Sequence, residues 1–190
     1  MRAKRLILAV VDGLTPAMFE HAAESPELPT FGLLAEHGRY SRATSVFPSL
    51  TPVCVSSIVT GAFPDVHGIP HLVWYSRAEQ RLVEYGSSFG AIRAAGTRRS
   101  ILDAIFNMNE RHLSPDATTV FEAVSDAGLV PAAVNIPAYR GRAEHLPKLP
   151  GFGRTARGPE RAERPSRGAG CSLVPFADEE PDAEPENRGQ

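Results

Sequence analysis

The sequence predicts an α/β protein with a doubly wound, mostly parallel sheet, and three observations predict it. The first is Leu6–Val11, six apolar residues in a row that end at Asp12-Gly13. A strand buried on both faces reads this way, whereas a half-exposed strand alternates. The second is a recurring start signal, a Ser or Thr followed by Pro, at Thr15-Pro16, Thr51-Pro52 and Ser114-Pro115. The hydroxyl caps a helix, and proline fits its first position because its missing N–H has no acceptor there. The third is a helical pattern closed by Gly128 and followed at once by the apolar run Leu129–Ile136, half of a βαβ unit.

The elements follow in order. Asp12 stands at the carboxyl end of the first strand, where open α/β sheets place their active sites and where a carboxylate can hold a metal. The competing reading of Asp12-Gly13 is a plain turn. Thr15-Pro16 opens a short helix through Phe19 and Ala22. Pro29-Thr30 opens a second, with Phe31, Leu33 and Leu34 apolar and Gly38 at its end. Tyr40–Phe47 reads as a strand or extended segment. It leads into the most informative stretch, Phe47–Gly68.

There Thr51 is expected to be an N-cap, Val53, Val55, Ile58 and Val59 to be buried, and Gly61 to stop the helix. A helix N-terminus is where a phosphate binds most easily. A hydroxyl held there becomes a nucleophile if its pKa is lowered. Beside this stands the plain reading that Thr51 only caps. Phe63–Pro70 is punctuated by Gly and Pro and reads as a loop. Asp65 and His67 carry metal-ligand chemistry, but a loop histidine more often hydrogen-bonds or faces solvent.

His71–Tyr75 and Leu82–Tyr85 flank the polar Ser76–Arg81, which predicts a hairpin with a longer turn. Ser87–Gly90 is loop-like. Ser100–His112 has near-helical apolar spacing, and Ser114-Pro115 opens a helix over Asp116–Ala127. From Gly151 onward the composition changes to scattered Arg, Glu, Pro and Gly. The acidic end Asp178–Gln190 is expected to be disordered.

Composition narrows the function. The 190 residues allow one domain with a real core. A net charge of −2 argues against a nucleic-acid duplex as partner. No stretch is long and apolar enough to span a bilayer. The basic start before Leu6–Val11 imitates a signal peptide, but the run is short and no small-residue cleavage site follows, so a cytoplasmic location is expected. Cys54 and Cys171 fit no zinc or redox spacing and read as free thiols. No dinucleotide fingerprint or P-loop is present. Nothing in the sequence assigns an oligomeric state.

Three pieces in order carry a resemblance. They are the strand ending in Asp12-Gly13; Leu28-Pro29-Thr30-Phe31 through Leu33-Leu34 to Gly38; and Pro48-Ser49-Leu50-Thr51 through Thr60-Gly61 to Pro64 and His67-Gly68-Ile69. The chain resembles the alkaline phosphatase superfamily, and within it the type I phosphodiesterase/nucleotide pyrophosphatase group. The likeness covers roughly Arg5 to Gly153. It implies an alkaline-phosphatase-like α/β domain over residues 1–153, with 154–190 an irregular tail. It also implies that Thr51 is the nucleophile and a metal ligand, that Asp12 binds the same metal, and that a complete site holds two divalent ions, typically zinc. The substrate implied is a small phosphorylated or nucleotide-like molecule with a phosphodiester or pyrophosphate bond.

The chain departs from the family pattern in three places. Cys54 stands where the family has a substrate-binding Asn, and a thiol is a weaker hydrogen-bonding group. Pro52 follows the nucleophile directly, where the family often has an aromatic residue and then Pro. The family's downstream ligands, an Asp…His pair, an Asp-His-Gly and a later His, have no counterpart, since no Asp-His dipeptide occurs and no histidine follows His145. The fold is therefore expected to be incomplete, with the tail as a substitute ending. Three readings stay open: a phosphodiesterase or pyrophosphatase; a phosphomonoesterase, phosphonate hydrolase or sulfatase relative, the last disfavoured by Thr51 without the sulfatase Arg; and a truncated, inactive chain that serves at most as a binding module.

Overall fold

Local helix signals translate directly into structure. The computed structural model describes residues 6–145, 156–158 and 161–163, which belong to two compact units, Met1–Ser45 and Val46–Gln190.

In the first unit, α1 (Pro16–Glu24) starts where Thr15 accepts a hydrogen bond from the Met18 N–H at 3.3 Å. Helix α2 (Pro29–His37) ends at Gly38, whose N–H donates to the Leu34 carbonyl. The Phe19 ring meets Phe31 edge-on at 5.6 Å and stacks on Tyr40 at 4.9 Å. Glu20 accepts from the Tyr40 hydroxyl at 2.8 Å and from Arg42 at 2.8 and 2.6 Å. These bonds hold the Glu20 carboxyl below its ordinary pKa.

Leu6–Val11 departs from expectation. It belongs to no strand among the described residues, and Ile7 is 91% exposed. The reason is physical. A strand leaves its N–H and C=O groups to be satisfied by neighbours, and the described part of this unit supplies two helices and no strand. Tyr40–Phe47 is likewise without a ladder.

The second unit is built on helices, with short strands between them. Helix α3 (Thr51–Thr60) ends at Gly61, whose φ of 65° is the left-handed conformation glycine adopts most readily. A single turn, α4 (Pro64–His67), follows in what the sequence suggests is loop, and Gly68 at φ 79° closes it. Strands β1 (Val73–Ser76) and β2 (Arg81–Glu84) form the expected antiparallel hairpin, with Val73 opposite Glu84 and Ser76 opposite Arg81.

Next come α5 (Phe89–Ala95), α6 (Thr97–Leu102) and a ten-residue π-helix, Asp103–His112. Ser88 caps α5 by accepting from the Ala91 N–H at 3.1 Å, so this helix begins inside the segment expected to be loop. The π geometry has a cause in side chains. The Ile105 carbonyl accepts from the Asn109 side-chain amide and from the Tyr139 hydroxyl. Side-chain donors of this kind compete with the helical ladder. At the C-terminus the Leu113 N–H reaches the Met108 carbonyl, five residues back.

Helix α7 (Val120–Asp126) starts later than Ser114-Pro115 suggests. Thr119 and Glu122 form a reciprocal capping box, which fixes the start. The expected strand Leu129–Ile136 shortens to β3 (Ala132–Val134). Pro131 and Pro137 bracket it, and Asn135 has a positive φ of 53°. A residue without an N–H and one in the left-handed region both end a ladder. β3 pairs in parallel with β6 (Arg161–Glu163), and β4 (Ala143–His145) pairs antiparallel with β5 (Ala156–Gly158).

The described residues thus form a mixed helix and strand architecture with three two-stranded sheets. Two of these sheets take a strand from beyond residue 153, where the sequence suggests an irregular tail. The acidic end Asp178–Gln190 and Cys171 lie outside the described residues. The main core joins Val55 and Val59 of α3, Ile105 and Phe106 of the π-helix, Phe121 of α7, and Tyr139. A smaller cluster holds Ile69, Met108 and Leu113 under Tyr85.

Candidate active site

Helix α3 presents Thr51 because of how the chain enters it. The Leu50 N–H donates to the Pro48 carbonyl at 2.9 Å, which makes a tight turn, and the Leu50 carbonyl then accepts from the Cys54 N–H at 2.9 Å. Leu50 is therefore the N-cap, with no side-chain cap bond, and Thr51 is the first helical residue rather than the cap expected from sequence. The difference moves Thr51 by one position, and it still opens the helix. Pro52, Val53 and Val55 are buried while Thr51 is exposed. The apolar face fixes the helix, and the hydroxyl-bearing first turn faces outward, where backbone N–H groups lack intrahelical acceptors.

Cys54 lies on the same first turn as Thr51. It is half-buried, and its Sγ is 3.8 Å from the Ser49 hydroxyl. Asp12 lies in the first unit, exposed, in the turn after Leu6–Val11. Gly13 beside it has φ 78°. Thr51 and Cys54 belong to the second unit.

His67 is fully buried. Its Nδ1 accepts from the Ile69 N–H at 3.1 Å, so Nδ1 carries no proton and the proton of the neutral ring sits on Nε2. Nε2 lies 3.0 Å from the Ser57 hydroxyl and donates to it. Burial holds the His67 pKa below its ordinary value, which favours this neutral form. The ring ties α4 to α3 and has no nitrogen left for a metal.

A second polar centre was not visible in the sequence. Arg81 donates to both oxygens of Asp103, at 2.6 and 2.8 Å, and to Glu79 at 3.0 and 2.6 Å. His112 Nε2 donates to Glu79 at 2.7 Å, and the Tyr85 hydroxyl meets His112 Nδ1 at 2.7 Å. Burial raises the Asp103 and Glu79 pKa values, but the Arg81 bonds, joined by Asn107 at Asp103 and by His112 at Glu79, outweigh it and hold both carboxyls low. Burial lowers the pKa of His112 despite Glu79, and raises that of the Tyr85 hydroxyl. This network locks the hairpin to the π-helix and commits both nitrogens of His112. Among the described residues no group of three or more His, Cys, Asp or Glu side chains is placed to hold a metal ion. The donors present there do not complete a zinc site.

A third feature is a cleft of about 670 Å³ between the end of the π-helix, the start of α7 and the β4–β5 pair. Arg140 anchors one wall. Its guanidinium donates to Glu122 at 3.2 Å and to the carbonyls of Leu113, Ser114 and Ala117. Arg142 pairs with Glu122 at 3.0 Å and with Asp126 at 2.7 Å.

Comparison with known proteins gives one family. The profile described as type I phosphodiesterase / nucleotide pyrophosphatase matches residues 6–137, more than half of the 190. No curated protein matches the chain, and no solved structure does. The matched span contains Asp12, Thr51 and Cys54.

Proposed function

Because the chain belongs to the type I phosphodiesterase/nucleotide pyrophosphatase family, we propose that it derives from, and carries the nucleophile of, a metal-dependent hydrolase of phosphodiester or pyrophosphate bonds. Thr51 is the nucleophile in this reading. The observation that carries it is an exposed hydroxyl on the first turn of a helix whose other face is anchored in the core. The Thr51 oxygen attacks phosphorus and gives up its proton to solvent, the bond to the leaving alkoxide or phosphate breaks, and water then hydrolyses the phosphorylated or nucleotidylated Thr51. First-turn N–H groups stabilise the phosphoryl oxygens as charge builds on them. Cys54 stands near that position and contributes only a weak donor.

Asp12 and Thr51 would each be a metal donor in this reading, with zinc as the ion, and a zinc site would need further donors beside them. When bound, a divalent ion lowers the pKa of a coordinated hydroxyl. The substrate is small and nucleotide-like.

A second reading is that the chain is inactive by itself and serves as a binding module. It is favoured by the ring nitrogens of His67 and His112, which are all engaged in hydrogen bonds within the fold. Hydrolysis of a chromogenic phosphodiester by the full chain with added zinc, beside Thr51→Ala, decides between the two. Turnover abolished by the substitution supports the hydrolase. A folded chain with no turnover supports the binding module.

A further inference from the structure

We propose that the arginine-lined cleft of the second unit is a binding site for a small multivalent phosphate anion, separate from Thr51. Positive charge is left over on its walls after pairing. Of the four arginines on the cleft, Arg140 and Arg142 are taken up by Glu122 and Asp126. Arg111 and Arg157 are exposed and have no ion-pair partner among the described residues. They come from different elements, Arg111 from the last turn of the π-helix and Arg157 from the middle of β5, and β5 packs against the π-helix. Glu110 and Glu144 also line the cleft, and Glu144 stands opposite Arg157 in the β4–β5 register. Four arginines against Glu110, Glu122 and Glu144 leave the lining with a positive excess, and that excess attracts a multivalent anion more strongly than a monoanion.

The chemistry selects phosphate. A guanidinium presents a planar fork that matches two oxygens of a phosphoryl group. Two such forks on facing elements suit a ligand with two phosphoryl groups. The wall is rigid because Arg140 is held by Glu122 and by three carbonyls, and Asn109 fixes the backbone N–H groups of Tyr139 and Arg140 at 2.7 and 3.0 Å. A cleft of about 670 Å³ is ample for such an anion. Among the described residues no aromatic side chain lines it, so a nucleobase finds no aromatic face to stack on there. The ligand class is therefore a phosphate anion such as pyrophosphate, not a nucleotide read by its base.

Calorimetric titration of the full chain with inorganic pyrophosphate, in buffer with a chelator, tests this site without metal-assisted binding elsewhere. Saturable binding is expected. Arg111→Ala/Arg157→Ala should weaken it by about tenfold or more, while Thr51→Ala should bind like the parent. AMP should bind more weakly than pyrophosphate. Both arginines are exposed, so the double variant should keep the parent's circular-dichroism spectrum. If it does not, each single variant is expected to weaken binding several-fold. Absence of saturable binding, or binding undiminished without the two arginines, would overturn the site. Tighter binding of AMP would overturn the ligand class. The outcome at Thr51 leaves this result untouched, so the two readings fail separately.

Discussion

An unbroken apolar run and an apolar stretch interrupted by Ser56 and Ser57 meet opposite fates in this protein. Leu6–Val11 is exposed, whereas Val53–Val59 of α3 contributes Val53, Val55 and Val59 to the interior. Hydrophobicity does not separate them. A helix satisfies its own backbone and needs only a surface to lie on. A strand needs a neighbour for its backbone before its side chains can be covered. The candidate nucleophile therefore rests on a platform fixed within its own unit, while the candidate carboxylate follows a segment that the described part of its own unit does not pair.

Substitutions can sharpen this contrast. Phe106 is fully buried in the cluster that also holds Val55 and Val59 of α3, and Phe106→Ala should cost about 3–5 kcal/mol in denaturant unfolding. Asp103→Ala should cost about 2–3 kcal/mol, because it removes the two-pronged partner of Arg81 in a mostly enclosed site and leaves that guanidinium with Glu79 as its remaining carboxylate partner. His67→Ala leaves the Ser57 hydroxyl and the Ile69 N–H without their partner and should cost about 1–3 kcal/mol. A loss near zero at Phe106 would undo the claim that α3 is anchored by this core.

The histidines give a pH signature. Burial holds the folded pKa of His67 and of His112 below 6.5. The groups facing His112 are Glu79, Tyr85, Trp74, Asp103 and Arg81. The unfolded chain takes up these protons near pH 6.5, before the folded one does. The stabilisation is thus complete above that pH and is lost as pH falls through the folded values, by up to about 1.4 kcal/mol per pH unit for each histidine. His112→Gln should remove one histidine's share of that slope in urea midpoints measured across the window. An unchanged slope contradicts the burial of its neutral form. The smallest effect is expected at Ile7→Asp, within about 0.5 kcal/mol of the parent, since the side chain is already in water.

What could be read in advance follows the same division between local and distant causes. The starts of α1 and α2, the glycine stop at Gly61 and the β1–β2 hairpin were legible, because a cap, a proline, a glycine or a turn acts within a few residues. The capping box at Thr119 and Glu122 and the cap at Ser88 were also in the sequence, but Ser114-Pro115 and the loop-like Ser87–Gly90 obscured them. Pro131 and Pro137 already limited β3. The π-helix was not legible, since a Tyr139 hydroxyl and an Asn109 amide at one carbonyl arise only after folding. The Glu79–His112 bond joins residues 33 apart in the chain, beyond any local pattern. Thr51 was legible as a helix start, though one position off, because Leu50 takes the cap through its backbone alone.

The central claim is that Thr51 is the nucleophile on this platform. The most direct measurement is peptide mass spectrometry of the full chain, acid-quenched during incubation with a phosphodiester and zinc. An adduct that carries the substrate's phosphorus with its retained ester group is expected on the peptide containing Thr51, and none in the Thr51→Ala protein. Turnover that persists undiminished in Thr51→Ala, with no adduct in the parent, would contradict it.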